Sequence, residues 1–231
     1  MKSGKKGKFI VIDGTDGSGK ATQTKLLVKK LKKDGYGVKT IDFPRYYDNF
    51  FGKLIGECLA EKYGDFISVD PHIASVLYAA DRWESSKIIK KWLGEGNIVI
   101  ADRYASSNQI HQGAKIRNSK KRTEFLKWLE KMEFKTFNIP RPDLIVYLHV
   151  PVEITLKLLK KKTASKRKKY MEGKGDLAES NSKHLNDSQS SAVMLVKKYN
   201  NWHRIDCVDK GKLMSINEIN NLIWKKVKNE L

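Results

Sequence analysis

Short apolar runs that end at glycine or proline alternate along this chain with longer stretches whose leucines, isoleucines and alanines recur at helical spacing. The run KFIVIDG, residues 8–14, is apolar through its middle and ends in a glycine turn, as a strand buried on both faces does. Residues 19–34 carry Leu26, Leu27 and Leu31 at helical spacing and stop at Gly35. GVKTIDFP is a second strand, closed by Pro44. Asp70 followed by Pro71 is a helix start, an N-cap residue with proline in the first turn, and that helix runs to about residue 93. NIVIADR is a third strand, residues 106–136 are helical with a break near Asn118, and RPDLIVYLHV is a fourth strand. A basic segment follows, then a helix from about 181 to 201, a short fifth strand WHRIDC, and a closing helix over 215–229. Five such alternations predict an α/β fold, a five-stranded parallel sheet flanked by helices with right-handed crossovers, in a single domain spanning 1–231. In such sheets ligands collect beyond the carboxyl ends of the strands. That directs attention to residues 14–20, 43–46 and 102–104 and to the loop after Cys207.

Composition excludes some functions and leaves others open. Of the 231 residues 40% are hydrophobic, enough for a packed core. No apolar run reaches the roughly 18 residues that a membrane span needs. The basic start MKSGKKGK leads into a short apolar run and then Gly14, which argues against a signal peptide. Cys58 and Cys207 lie far apart without metal-like spacing, so reduced thiols in the cytoplasm are expected. The net charge of +20 points at first to nucleic acid or an anionic surface. Much of it, however, is lysine scattered over helical segments, which reads as a solvated face. The exception is KKKTASKRKKYMEGKGD, residues 160–176, dense and interrupted by glycine. Single-strand binders interleave aromatic with basic residues. This cluster holds only Tyr170, so nucleic acid is not expected as a partner.

The stretch IDGTDGSGKATQT carries the clearest chemistry. Gly14, Gly19 and Lys20 fit the phosphate-loop pattern G-x-x-x-x-G-K, with the required strand before it and helix after it. Over residues 14–21 the glycines let successive N–H groups turn toward one anion, and the helix dipole assists. Lys20 supplies a mobile cation for the outer phosphates of ATP. Gly14, Thr15, Asp16, Gly17, Ser18, Gly19, Lys20, Ala21 and Thr22 are the ATP-binding candidates. Ala21 removes the hydroxyl that usually touches Mg²⁺. One helical step rotates Thr22 about 100° away from that place. The ion must then rely on phosphate oxygens, water, and Asp16 and Asp102, which predicts a working site with a weakened metal shell.

The acceptor side follows from what lies at the same rim. FPRYY places Arg45 after the second strand, and ADRY places Asp102 and Arg103 after the third. Tyr78 and Arg82, spaced i, i+4, share one helix face and can stack on a base and bond its carbonyl. Arg82 stands among Ala74, Leu77 and Ala80, and a buried arginine requires an anionic or acceptor partner. Two arginines aimed at one place suggest that the acceptor carries a phosphate. Such a monoester, with its second pKa about 6, attacks without a general base. A monophosphate kinase therefore fits better than a nucleoside kinase.

With GTDGSGK, FPRY, YAADRWE, DRYASSNQIHQGAK, a PRPD strand entry and a basic lid, the chain resembles the thymidylate kinase family over nearly its whole length. The resemblance implies a three-layer P-loop fold and ATP-dependent phosphorylation of dTMP to dTDP with Mg²⁺, on the way to dTTP, in a cytoplasmic homodimer. It implies that Tyr78 stacks on thymine and that Arg82 bonds the pyrimidine carbonyl and the phosphate. Phe43 lines the deoxyribose side; His111, among the dTMP-binding candidates, departs from the Tyr or Phe that the family often places against the deoxyribose, so looser discrimination against ribonucleotides is expected. Arg45 and Arg103 bind the acceptor phosphate, and Ser107, Asn108 and Gln112 lie at the base edge. Asp16 lies near the sugar 3′-hydroxyl and the acceptor phosphate, and Asp102 helps hold the metal. Because the phosphate loop has Gly17, the lid at about 160–180 is expected to supply the catalytic arginine, Arg167, with Tyr170 closing over the acceptor. Lys20, Arg103, Arg167 and Asp16 are thus the catalytic candidates. His72, His149, His184 and His203 form no metal-like cluster and read as structural. A deoxynucleoside kinase, another monophosphate kinase and a non-catalytic nucleotide or nucleic-acid binder are the rival readings.

Overall fold

The computed structural model describes residues 7–160 and 182–231. Its five-stranded sheet is parallel throughout, in the order β2–β3–β1–β4–β5, with β1 (Lys8–Gly14) central. β3 (Ile98–Asp102) and β2 (Val38–Asp42) lie on one side of β1, and β4 (Leu144–His149) and β5 (Trp202–Asp206) on the other. Alternate residues feed opposite faces, as the pleat requires. Phe9, Val11, Val99, Ala101, Ile145 and Tyr147 pack toward α3 (Pro71–Gly94), α5 (Ser119–Lys131) and α7 (Ser182–Lys198). Ile10, Ile12, Ile98, Ile100, Leu144 and Val146 pack toward Leu27 and Leu31 of α1 (Lys20–Lys33) and Ile219 and Ile223 of α8 (Ile216–Lys228). Two apolar cores thus clamp the sheet. The carboxyl-terminal rim, where β1 ends at Gly14 and β3 at Asp102, lies beyond both cores.

The elements read from the sequence are present, and two more helices join them. α2 (Phe50–Leu59) contains two glycines, which disguise it. Gly52 is there because a Cβ would stand 2.1 Å from the carbonyl oxygen of Arg45, so the glycine serves close backbone approach. α6 (Val152–Lys160) leads into the basic segment, and its Val152 and Thr155 are buried. The helical stretch expected over 106–136 divides where Asn118 caps α5, its side chain accepting from the Lys121 amide. Before the break lies α4 (Ala105–Ser107), continued by a wide turn over Asn108–Gln112; a second wide turn, Met132–Thr136, follows α5. The loop expected after Cys207 is a small hairpin of β6 (Val208–Asp209) and β7 (Lys212–Leu213). Lys210 and Gly211 turn it at φ 46° and 76°, as tight hairpins of right-handed twist require.

Candidate active site

The phosphate loop joins β1 to α1. Gly19 is the N-cap of α1 at φ 87°, with no atom within 4 Å of the place a Cβ would take and no side chain capping the first amides of the helix. A glycine cap offers those N–H groups no side-chain acceptor of its own, the arrangement that suits an incoming anion. Lys20 is buried, and its Nζ donates to the carbonyl oxygens of Gly14 and Thr15 at 3.0 Å each. Burial, aided by the Arg103 charge, lowers its pKa to about 8, against the opposing pull of Asp16, Asp102 and Asp13. The hydroxyls of Thr15 and Ser18 are buried without a partner among the described residues. Ala21 and Thr22 are both exposed.

Arg103 stands where the phosphate loop meets the acceptor side. Its Nη2 donates to Asp16 Oδ1 at 2.7 Å, and its Nη1 lies 3.7 Å from Asp13 Oδ1 and 3.1 Å from His111 Nε2. A longer contact of 3.4 Å runs from Nη1 to Ser107 Oγ. Burial works against the guanidinium charge, but Asp16, Asp13 and Asp102 outweigh it and hold the pKa above its ordinary value. The residue adopts φ 66°, rare for a side chain with a Cβ, so its surroundings impose its position. Asp13, fully buried, ties the loop to this cluster. It accepts from the Gly14 amide at 2.8 Å, Ser106 Oγ at 2.5 Å and Ser107 Oγ at 2.9 Å.

From Asp16 and Arg103 a cavity of about 910 Å³, counting its open mouth, extends between α3, α4 and α7. Its far end is aromatic, with Tyr78 of α3 set 6.0 Å from Phe66 between ring centroids and Phe43 5.5 Å from Tyr104. Arg82 lines the cavity yet is only 2% exposed. The anion it requires is Glu133, itself 1% exposed, which accepts from Arg82 Nε at 2.8 Å and Nη2 at 2.5 Å. Asn108 Nδ2 donates to the same carboxylate at 2.9 Å and to the Ser75 carbonyl at 3.1 Å. Gln112 also lines the cavity, and its Oε1 is buried without a partner among the described residues. Lys115, at the rim, reaches the Val69 carbonyl at 3.5 Å, and burial lowers its pKa against the pull of Asp65 and Asp70.

The structure thus brings together Asp16, Phe43, Tyr78, Arg82, Arg103, Ser107, Asn108, His111 and Gln112 around one cavity. Arg45 stands between two lining residues, Pro44 and Tyr46, but its guanidinium turns to Asp48 at 2.9 Å and does not itself line the cavity. Asp102 closes β3 close enough to Lys20 and Arg103 for their charges to act on it, while burial raises its pKa. Arg167 and Tyr170 lie outside the described residues. His72 packs edge-on against Phe125 and Trp128, away from the cavity. His184, read from the sequence as structural, lines the cavity and stacks on His111. Glu133, Phe66, Lys115 and Asp13 are the site residues that sequence reasoning missed. For Glu133 a signal existed, an acid between Met132 and Phe134 in a chain that owed Arg82 a counter-charge.

The sequence profile of the family described as thymidylate kinase matches residues 12–209. A probable thymidylate kinase of Pyrococcus horikoshii is 40% identical over 157 residues, 67% of this chain and 71% of that one. The human thymidylate kinase is 32% identical over 146 residues, 63% of this chain and 62% of its own. A solved thymidylate kinase from Candida albicans shares the fold with a TM-score of 0.74, over 97% of this chain and 92% of that one, at 24% identity.

Proposed function

We propose how the work is divided among the residues of a chain that belongs to the thymidylate kinase family and transfers the γ-phosphoryl group of ATP to dTMP, giving dTDP and ADP. The observation that carries the proposal is Arg103, which joins Asp16 of the phosphate loop to the cavity lined by Tyr78 and Arg82. One ester is held by main-chain amides and the other by a guanidinium, at a shared rim. In-line transfer needs that alignment and little covalent chemistry, so positioning and charge stabilisation do most of the work.

In this reading residues 14–22 hold ATP, and Lys20 leaves the carbonyls of Gly14 and Thr15 to meet the outer phosphates. Arg103 holds the acceptor phosphate, with Arg45 joining it by leaving Asp48. Asp16 orients Arg103, and Arg167 and Tyr170 come to the site from the lid segment. Tyr78, backed by Phe66, offers its ring to the base and Phe43 lines the sugar. Arg82, with Nε and one Nη2 proton committed to Glu133, keeps donors for a base carbonyl. Gln112 Oε1, an acceptor without a partner among the described residues, suits the base N–H. Ser107 and Asn108 are engaged by Asp13 and Glu133, so they shape the base end as much as they touch it.

Mg²⁺ belongs to the proposal. The residues fit an ion held by phosphate oxygens, water and one or two carboxylates, the habit of Mg²⁺. Asp102 is the principal candidate, because Asp16 Oδ1 already accepts from Arg103. When bound, the ion neutralises charge on the phosphate oxygens. Residues 1–231 act as one kinase domain. Exposed Ile73, Val76 and Trp83 on one face of α3 support a homodimer. Two buried, unpaired cysteines, Cys58 and Cys207, support a reducing compartment, the cytoplasm. No helix among the described residues is long and apolar enough to cross a membrane.

An ADP-release assay offering dTMP, dUMP, AMP and thymidine side by side tests the acceptor. dTMP is expected to give the highest kcat/KM; thymidine as the best acceptor would make the enzyme a deoxynucleoside kinase. Salt-sensitive DNA binding without turnover would point to a binder instead.

A further inference from the structure

His111 is held on three sides. Its Nε2 lies 3.1 Å from Arg103 Nη1, its Nδ1 lies 3.2 Å from Ser188 Oγ, and its ring stacks on His184 at 5.6 Å between centroids and 22° between planes. Ser188 is completely buried, and both it and His184 belong to α7. A guanidinium has no acceptor, so Nε2 must be the acceptor in its contact with Arg103. The proton of the neutral ring then sits on Nδ1 and is donated to Ser188 Oγ. Both nitrogens are committed, and neither remains to bond a nucleotide sugar.

We propose that His111 is a positioning residue, a neutral hydrogen-bond acceptor that fixes the Arg103 guanidinium over the acceptor phosphate and ties its placement to α7 through Ser188 and His184. The inference rests on the reading that Arg103 holds that phosphate. Arg103 Nη2 is secured by Asp16, but among the described residues Nη1 otherwise has only the 3.4 Å contact with Ser107 and the 3.7 Å approach to Asp13. Without His111 the guanidinium can swing about its Asp16 bond. The charged and titratable groups acting on the ring are Arg103 at the end of β3, His184 on α7, and Asp16 and Lys20 on the phosphate loop. Burial first, then Arg103, His184 and Lys20, hold its pKa well below the usual histidine value, with Asp16 opposing them. The ring stays neutral at neutral pH.

Three measurements test this. In ¹⁵N-labelled ligand-free enzyme at pH 7, His111 is expected as the neutral Nδ1–H tautomer; the Nε2–H tautomer or an imidazolium overturns the proposal. His111→Phe keeps a ring but removes the acceptor, and is expected to raise KM for dTMP about tenfold, as loss of a hydrogen bond to a charged group does. KM for ATP is expected to hold, and His111→Gln, whose carbonyl can accept from Arg103, to restore KM for dTMP to within about threefold. Ser188→Ala, which touches no substrate, is expected to raise KM for dTMP in the parent but not in the His111→Phe background. An unchanged KM in His111→Phe beside a raised KM in Arg103→Ala overturns the positioning role. An unchanged KM in both overturns the reading of Arg103 itself.

Discussion

The two ends of the cleft are built in opposite ways. The phosphate end is one continuous stretch, a strand, a glycine loop and a helix start, whose geometry is dictated by neighbours in sequence. The base end is assembled from β1, α3, β3, the wide turns after α4 and α5, and α7. Its main bonds span long intervals of chain: Asp16 to Arg103, Arg82 to Glu133, His111 to Ser188. A local device reports itself in a motif and fails if one residue is changed. A distributed device hides in the sequence and shares its function with the stability of the fold.

The largest effect is expected at the local end. Lys20→Met removes the only side-chain cation of the phosphate loop, and kcat is expected to fall by about a thousandfold, the scale of losing a dominant charge-stabilising donor. Folding is expected to survive, because the fold gains nothing from burying this charge. The native pKa of about 8 lies below the unfolded value of 10.5. Between those values the folded chain binds fewer protons than the unfolded one, so the parent gains stability from Lys20 as pH rises through that window. Below about pH 8 it carries the full cost of the buried ammonium. The melting temperature of Lys20→Met should therefore equal or exceed that of the parent at pH 7, with the margin narrowing above pH 8. The kcat/KM of the parent for ATP should fall as the free lysine deprotonates above about pH 8. A large loss of stability in Lys20→Met at pH 7 would break the contrast between the two ends.

The distributed end is expected to couple binding to stability. Glu133→Ala leaves the Arg82 guanidinium buried without its anion, which costs about 3–5 kcal/mol in denaturant unfolding, and KM for dTMP should rise with it. Replacing both partners, Arg82→Met with Glu133→Met, should recover most of that stability, since apolar pairs of similar volume substitute well for buried ion pairs. It should not recover dTMP recognition, because the donors for the base are gone. Recovery of both would reduce Arg82 to a packing residue.

This division also explains what the sequence revealed. Strand–helix alternation exposed the sheet, because buried parallel strands are nearly continuous apolar runs bounded by turns. α6 and α2 escaped because lysines and glycines masked their buried faces. Gly14, Gly19 and Lys20 were legible because their roles are set by backbone conformation within a few residues. Arg82 was legible as a residue in need of a partner, but Glu133 was not identifiable as that partner, since pairing between a helix and a wide turn far along the chain leaves no fixed spacing. His184 was misread for a related reason. A histidine in a polar helix gives no sign that the fold will lay it on another histidine beside Arg103.

The smallest effect is expected at Ala21, where the local motif itself departs from its pattern. The residue is exposed in the first turn of α1, so a serine fits without repacking. Ala21→Ser would restore a hydroxyl ligand where the pattern usually has one. If the metal shell is weakened by its absence, the Mg²⁺ concentration giving half-maximal rate should fall a few-fold at saturating ATP and dTMP, with kcat changing less than twofold and KM for dTMP unmoved. That outcome would sharpen the comparison: at the local end one side chain can be exchanged and its effect stays confined to the phosphates. An unchanged Mg²⁺ requirement would instead mean that phosphate oxygens, water and Asp102 already satisfy the ion. The hydroxyl is then dispensable, and the strength of the phosphate end lies in its backbone amides and Lys20 alone.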